Sequence, residues 1–127
     1  MTFTVGLIGL GKIGAFYDLN SSNTMTHLNA ISKDIRFSLS FAYDPSETTC
    51  ASVREYYDIE NVFHNMTDIQ NDKLQADLIV VASPTNSHLD SIQSLLEFIS
   101  PLMVLCEKPL ADNLLDSQKI AELCRQK

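Results

Sequence analysis

The chain has 127 residues, 45% hydrophobic and 20% charged, which fits one soluble globular domain with a single core and argues against disorder. Nine basic against sixteen acidic residues leave a net charge of −7, and no Lys/Arg cluster interrupts that balance, so nucleic acid and anionic membranes are poor partners. No apolar run approaches a membrane span, and the opening M-T-F-T-V-G-L has neither the basic leader nor the cleavage site of a signal peptide.

Thr2 to Ile8 alternates and then runs apolar, as a buried strand does. All four glycines of the chain, Gly6, Gly9, Gly11 and Gly14, fall in the first 14 residues. The segment Gly9-Leu10-Gly11-Lys12-Ile13-Gly14 follows a strand and opens a helix, which is the setting of the dinucleotide fingerprint. There the first glycine permits the tight turn, the second admits a pyrophosphate to the backbone, and the third allows close helix–strand packing. Phosphates would rest on the unpaired N–H groups of the loop. Two other readings stay open: a glycine-rich strand end without a ligand, and the loop of an S-adenosylmethionine-dependent methyltransferase.

The polar stretch Asp18 to Thr24, D-L-N-S-S-N-T, interrupts the first helix, which resumes at Met25 to Ile31. It reads either as an insertion near the cofactor mouth or as a plain surface loop. Ser38 to Tyr43 is a second strand, closed by Asp44-Pro45. Asp44 has the place of the acid that meets the adenosine ribose, although it lies 30 residues past Gly14. The usual spacing is about 20 residues. The insertion accounts for the difference. A carboxylate there accepts from ribose hydroxyls and repels a 2′-phosphate, favouring NAD over NADP.

Ser46 to Tyr57 follows as a helix with Pro45 near its start, then a weaker strand at Asn61 to His64 and a third clear one at Ala76 to Ala82. Ser87 to Ile99 sets Leu89, Ile92, Leu95, Leu96 and Ile99 on one helical face, and Ser87 with Asp90 resembles a capping box. Leu102 to Cys106 is the fourth clear strand, and Asp112 to Gln126 the last helix. Continuous aliphatic strands alternating with helices predict a doubly wound, mostly parallel α/β sheet buried on both faces, one domain over residues 1–127. Cys50, Cys106 and Cys124 form no C-x-x-C pair and read as reduced thiols of a cytoplasmic protein; His27, His64 and His88 show no ligand spacing, so no metal site is expected.

The strand ending at Cys106 runs directly into Glu107-Lys108-Pro109. In isolation this is a surface turn, since Pro109 cannot donate to a ladder. Taken in order, however, G-L-I-G-L-G-K-I-G, V-V-A-S-P-T-N-S-H and C-E-K-P-L-A resemble the N-terminal domain of the glucose–fructose oxidoreductase, inositol dehydrogenase and rhizopine catabolism proteins, the Gfo/Idh/MocA family. The resemblance runs from Val5 to about Gln126 and implies a Rossmann-type domain of an NAD(P)-dependent oxidoreductase acting on a sugar, a polyol or a derivative.

By position, the resemblance makes Ser83, Pro84, Thr85 and Asn86 the loop beside the nicotinamide and His88 the histidine that opens the next helix. Glu107 becomes the acid near the nicotinamide ribose, and Lys108 the catalytic lysine that supports the acid/base step. Physically, an ammonium there can hydrogen-bond the substrate oxygen and stabilise developing alkoxide charge. The Lys108–Pro109 bond is a candidate for the cis form, which is largely confined to proline. The family's second α/β domain, which lines the substrate pocket, completes the catalytic group and builds the oligomer, has no counterpart in these residues. The chain thus reads as a cofactor domain alone, and a non-catalytic NAD-binding module is the alternative.

Overall fold

Five aliphatic segments form strands: β1 (Phe3–Ile8), β2 (Phe37–Tyr43), β3 (Val62–Phe63), β4 (Leu78–Val81) and β5 (Met103–Cys106). The computed structural model describes residues 1–126. All strand pairs are parallel, in the order β3-β2-β1-β4-β5. The sheet grows outward from β1 in both directions, so β1 and β4 flank the point where the winding reverses, and there the exit loops part to leave a crevice.

Register sets the height of that crevice. Ile8 pairs with both Tyr43 and Val81, and Val81 pairs with Cys106, so the carboxyl ends of four strands finish level. The ladder continues one residue further: the Gly9 N–H donates to Tyr43, the Ala82 N–H to Ile8 and the Glu107 N–H to Val81. Gly9, Asp44, Ala82 and Glu107 therefore stand along one rim.

The helices are α1 (His27–Lys33), α2 (Glu47–Tyr57), α3 (Met66–Asn71), α4 (His88–Leu96) and α5 (Leu114–Arg125). Side-chain oxygens of Thr26, Ser46, Asn65 and Asn113 cap the first, second, third and fifth of these, each accepting an otherwise orphaned N–H. On one sheet face Leu28, Ile31, Cys50 and Val53 pack against Val5, Leu7 and Val80. On the other, Ile69, Ile92, Leu95, Leu96, Ile99 and Ile120 cover Ile8, Phe41, Ile79 and Val81. Within β1, Gly6 lies beneath the Phe41 ring; a Cβ there would come within 2.4 Å of it.

Three expectations change. The capping box at Ser87 and Asp90 does not form, because the chain enters α4 through a tight 3₁₀ turn, Thr85–Ser87, and the Ser87 hydroxyl faces Ser83 Oγ and Pro84 O instead. β5 is not buried on both faces: Met103 is 64% exposed and Leu105 48%. It is the edge strand, and α5 returns to the face that holds Val104 and Cys106, leaving the other face bare. The short helix α3 was not foreseen, since six residues carry too little periodicity to show.

Candidate functional site at the carboxyl rim of the sheet

Each glycine of the loop answers to a different local demand. Gly9 has φ +91°, and a Cβ on it would lie 2.4 Å from the Ser83 nitrogen, so this turn presses against the exit of β4. A Cβ on Gly14 would meet the Gly9 carbonyl at 2.1 Å, which only a bare backbone tolerates. Over Gly11 there is nothing within 4 Å. That open space, next to Lys12 and Ile13 on the exposed lip, is the fit a pyrophosphate requires. The first N–H groups of a helical turn have no intrahelical partner and remain free for phosphate oxygens.

The helix after this loop is brief. Lys12–Phe16 makes a single π-helical turn, tied down by the Tyr57 hydroxyl donating to the Ala15 carbonyl. The chain is then restarted by Asp18, which is only 3% exposed. Its carboxylate accepts from the Met25 and Thr26 N–H groups, the Thr26 hydroxyl and the Asn29 amide, so it organises the N-terminus of α1. Burial pushes its pKa up, but these hydrogen bonds outweigh burial and bring it to about 2. The 18–24 segment is thus an anchored excursion, held at its root by the residue that looked most like loop.

Asp44 is already employed in closing the glycine loop. One carboxylate oxygen accepts from the Leu10 N–H at 3.0 Å and the other from the Ser46 N–H at 2.9 Å. Each oxygen keeps a further lone pair for a hydroxyl donor.

At the exit of β4, Ser83 and Thr85 are half-buried, and Pro84 and Asn86 are exposed. His88 behaves differently. It is 1% exposed, with Nε2 at 2.9 Å from the Ser83 carbonyl and Nδ1 at 3.0 Å from the Leu110 carbonyl. The Cys106 sulfur lies 3.3 Å from Nδ1, and burial, helped by Cys124 and Glu107, pushes that thiol up to about 11, so it stays protonated and able to donate. With the ring hydrogen on Nε2 the imidazole donates to the Ser83 carbonyl and its Nδ1 can accept from the Cys106 thiol; with the hydrogen on Nδ1 it donates to the Leu110 carbonyl instead. The ring is enclosed, and it lies between the Ser83 loop and the segment after Pro109.

Glu107 and Lys108 sit where β5 ends. The Glu107 carboxylate is 2.7 Å from Nε2 of His27, the first residue of α1, and this hydrogen bond holds it below the usual carboxylate range against burial. Lys108 is exposed and forms no ion pair among the described residues. The Lys108–Pro109 bond is cis. His27 and Asp18 are the two site residues that sequence reading missed. The partner of His27 lies 80 positions away, and the only local sign of Asp18 is a carboxylate followed eight residues later by a Thr at a helix start.

The rim therefore combines an open glycine backbone, a carboxylate at the end of β2, a hydroxyl-lined loop and an ammonium with no ion pair among the described residues. Comparison with known proteins bears directly on it. Residues 3–127 match the model of an oxidoreductase family with an NAD-binding Rossmann fold, GFO_IDH_MocA. The chain belongs to the Gfo/Idh/MocA oxidoreductases. Its sequence is 28% identical over 118 residues to myo-inositol 2-dehydrogenase of Thermotoga maritima, covering 93% of this chain and 31% of that protein. Its fold superposes on the WlbA dehydrogenase of Bordetella pertussis, solved with NADH and UDP-GlcNAcA, with a TM-score of 0.79 at 20% identity, covering 99% of this chain and 35% of that one. Against myo-inositol 2-dehydrogenase of Lactobacillus plantarum the TM-score is 0.68 at 18% identity, covering 99% and 34%. This Gfo/Idh/MocA chain spans about a third of the length of these relatives, their Rossmann part.

Proposed function

We propose that this chain is the cofactor domain of a dehydrogenase that oxidises a hydroxyl group of a sugar, a polyol or a related compound with NAD. The observation that carries the reading is the open backbone at Gly11, two residues beyond the rim on which Gly9, Asp44, Ala82 and Glu107 stand. In this reading Gly9 to Gly14, with Lys12 and Ile13, hold the pyrophosphate. Asp44 takes the adenosine ribose, and Ser83 to Asn86 with Glu107 border the nicotinamide half. Asp44 supports NAD over NADP because a 2′-phosphate would face a carboxylate.

NAD, when bound, supplies the hydride acceptor. The chain's own contribution to the chemistry is Lys108, whose ammonium donates to the reacting oxygen and stabilises alkoxide charge as the proton leaves. Its lack of an ion pair among the described residues suits that task. The wall that orients the substrate and the group that takes the proton would come from a second domain, which would also carry the oligomer contacts. No helix of the described residues is long and apolar enough to cross a membrane, and three free thiols support a cytoplasmic setting. The test is titration of the chain with NAD and NADP, followed on the amide resonances of Gly9, Gly11 and Gly14. Shifts at these amides are expected at lower NAD than NADP concentration; their absence would overturn the reading.

A further inference from the structure

The geometry points to His27 as a positioning residue that acts on the cofactor site through Glu107. The inference rests on the cofactor reading above and adds a residue to it. Three observations carry it. The imidazole Nε2 and Glu107 Oε1 are 2.7 Å apart and both side chains are partly buried, which makes this a strong, charge-assisted contact rather than a solvated one. Each side chain is also mounted on fixed backbone. His27 follows Thr26, whose N–H and hydroxyl are both bound by the buried Asp18 carboxylate, while the Glu107 N–H is bonded to Val81. Finally, the contact joins α1, which follows β1, to the end of β5, and in the sheet β4 lies between these two strands. The pair therefore straddles the exit of β4, where Ser83 begins the nicotinamide-side loop.

The chemical consequence lies in what the pair leaves free. With Oε1 held by His27, Glu107 has Oε2 to offer a ribose hydroxyl. Without His27, the carboxylate loses its only hydrogen-bonding side chain among the described residues, and the adjacent ammonium becomes its nearest counter-charge. Both groups would then be lost to the site together. The 18–24 excursion acquires a purpose as well, since Asp18 sets where α1 begins and so where the imidazole stands.

The test uses the whole chain, ¹⁵N-labelled, with two independent readings. For the pair itself, Glu107→Gln should change the imidazole ¹⁵N resonances of His27 while leaving those of His64 unchanged; unaltered His27 resonances would overturn the inference whether or not NAD binds. For its role, NAD affinity is read from the glycine-loop amides. His27→Ala should weaken it about tenfold, the scale of one hydrogen bond to a charged group. His27→Gln, which carries a donor near the Nε2 position, should recover most of the loss. A parent chain that does not bind NAD would sink the cofactor reading; a parent that binds, with alanine and glutamine variants equal to it or equally impaired, would sink the role of His27 alone. Thermal melts of all variants separate either result from unfolding.

Discussion

Asp44 reaches back across 34 positions to accept the Leu10 N–H at 3.0 Å, so the residue proposed to read the ribose also ties down the glycine loop. The two duties share one carboxylate. Asp44→Ala should therefore weaken NAD binding by more than a ribose contact alone accounts for, about tenfold or more, and should narrow the preference over NADP. Asp44→Asn, which keeps an acceptor oxygen for Leu10, should be milder toward NAD yet relax the discrimination equally. Parallel titrations with both nucleotides check this, and a parent that binds NADP more tightly would contradict it.

The glycines should separate cleanly into ligand and packing roles. Gly11→Val introduces a side chain into space that is empty within the protein, at a negative φ, so the melting temperature should hold while NAD binding disappears. Gly14→Ala forces a Cβ against the Gly9 carbonyl and should cost about 1–3 kcal/mol of stability. Denaturant melts and nucleotide titrations on the same samples distinguish the two. A Gly11→Val variant that binds as the parent does would show the phosphates rest elsewhere.

Asp18 makes stability depend on acid. Its folded pKa, about 2, lies below the ordinary value of 3.8, so the folded state favours the charged form. That contribution is complete above about pH 4 and is lost as pH falls toward 2, amounting to about 2 kcal/mol. Other carboxylates titrate in the same window, Asp34 among them, so the comparison must be with Asp18→Ala. The variant should be less stable at pH 7 and should lose less on acidification than the parent. Urea melts at pH 7, 4 and 3 give the difference directly.

Catalytic competence should need more than these residues. Hydride transfer requires the donor carbon and its hydroxyl held in place, and such positioning supplies ~7–11 kcal/mol. Lys108 stands on an exposed loop, where water weakens its field. Assayed alone, the chain should bind NAD and oxidise no sugar or polyol at a useful rate by NADH absorbance. Joined to the substrate domain of a relative it should gain activity, and Lys108→Ala should then remove most of that with little loss of NAD affinity. Substantial turnover by residues 1–127 would place the catalytic group elsewhere.

Much of this architecture was legible before any coordinates. The strands β1, β2 and β4 and the helices α2, α4 and α5 announced themselves because hydrophobic periodicity is a local property, readable within one element. The glycine loop was legible for the same reason: turn, open backbone and close packing are all specified within six residues. Asp44 was singled out by its place at the end of the second strand, and motif order singled out the Ser83 loop and Lys108.

What periodicity could not supply was neighbourhood. That β5 lies at the edge with Met103 and Leu105 bare depends on which face α5 returns to, a choice made by packing between elements. The enclosure of His88 depends on Ser83, Cys106 and Leu110 converging from the exit of β4, the end of β5 and the segment after Pro109, and nothing in S-P-T-N-S-H distinguishes a brace from a ligand. His27 meets Glu107, 80 positions away, because strand order brings the start of α1 to the end of β5. Local chemistry is written along the chain, whereas the partners of a side chain are settled by a sheet order that lowers the free energy of the whole core at once.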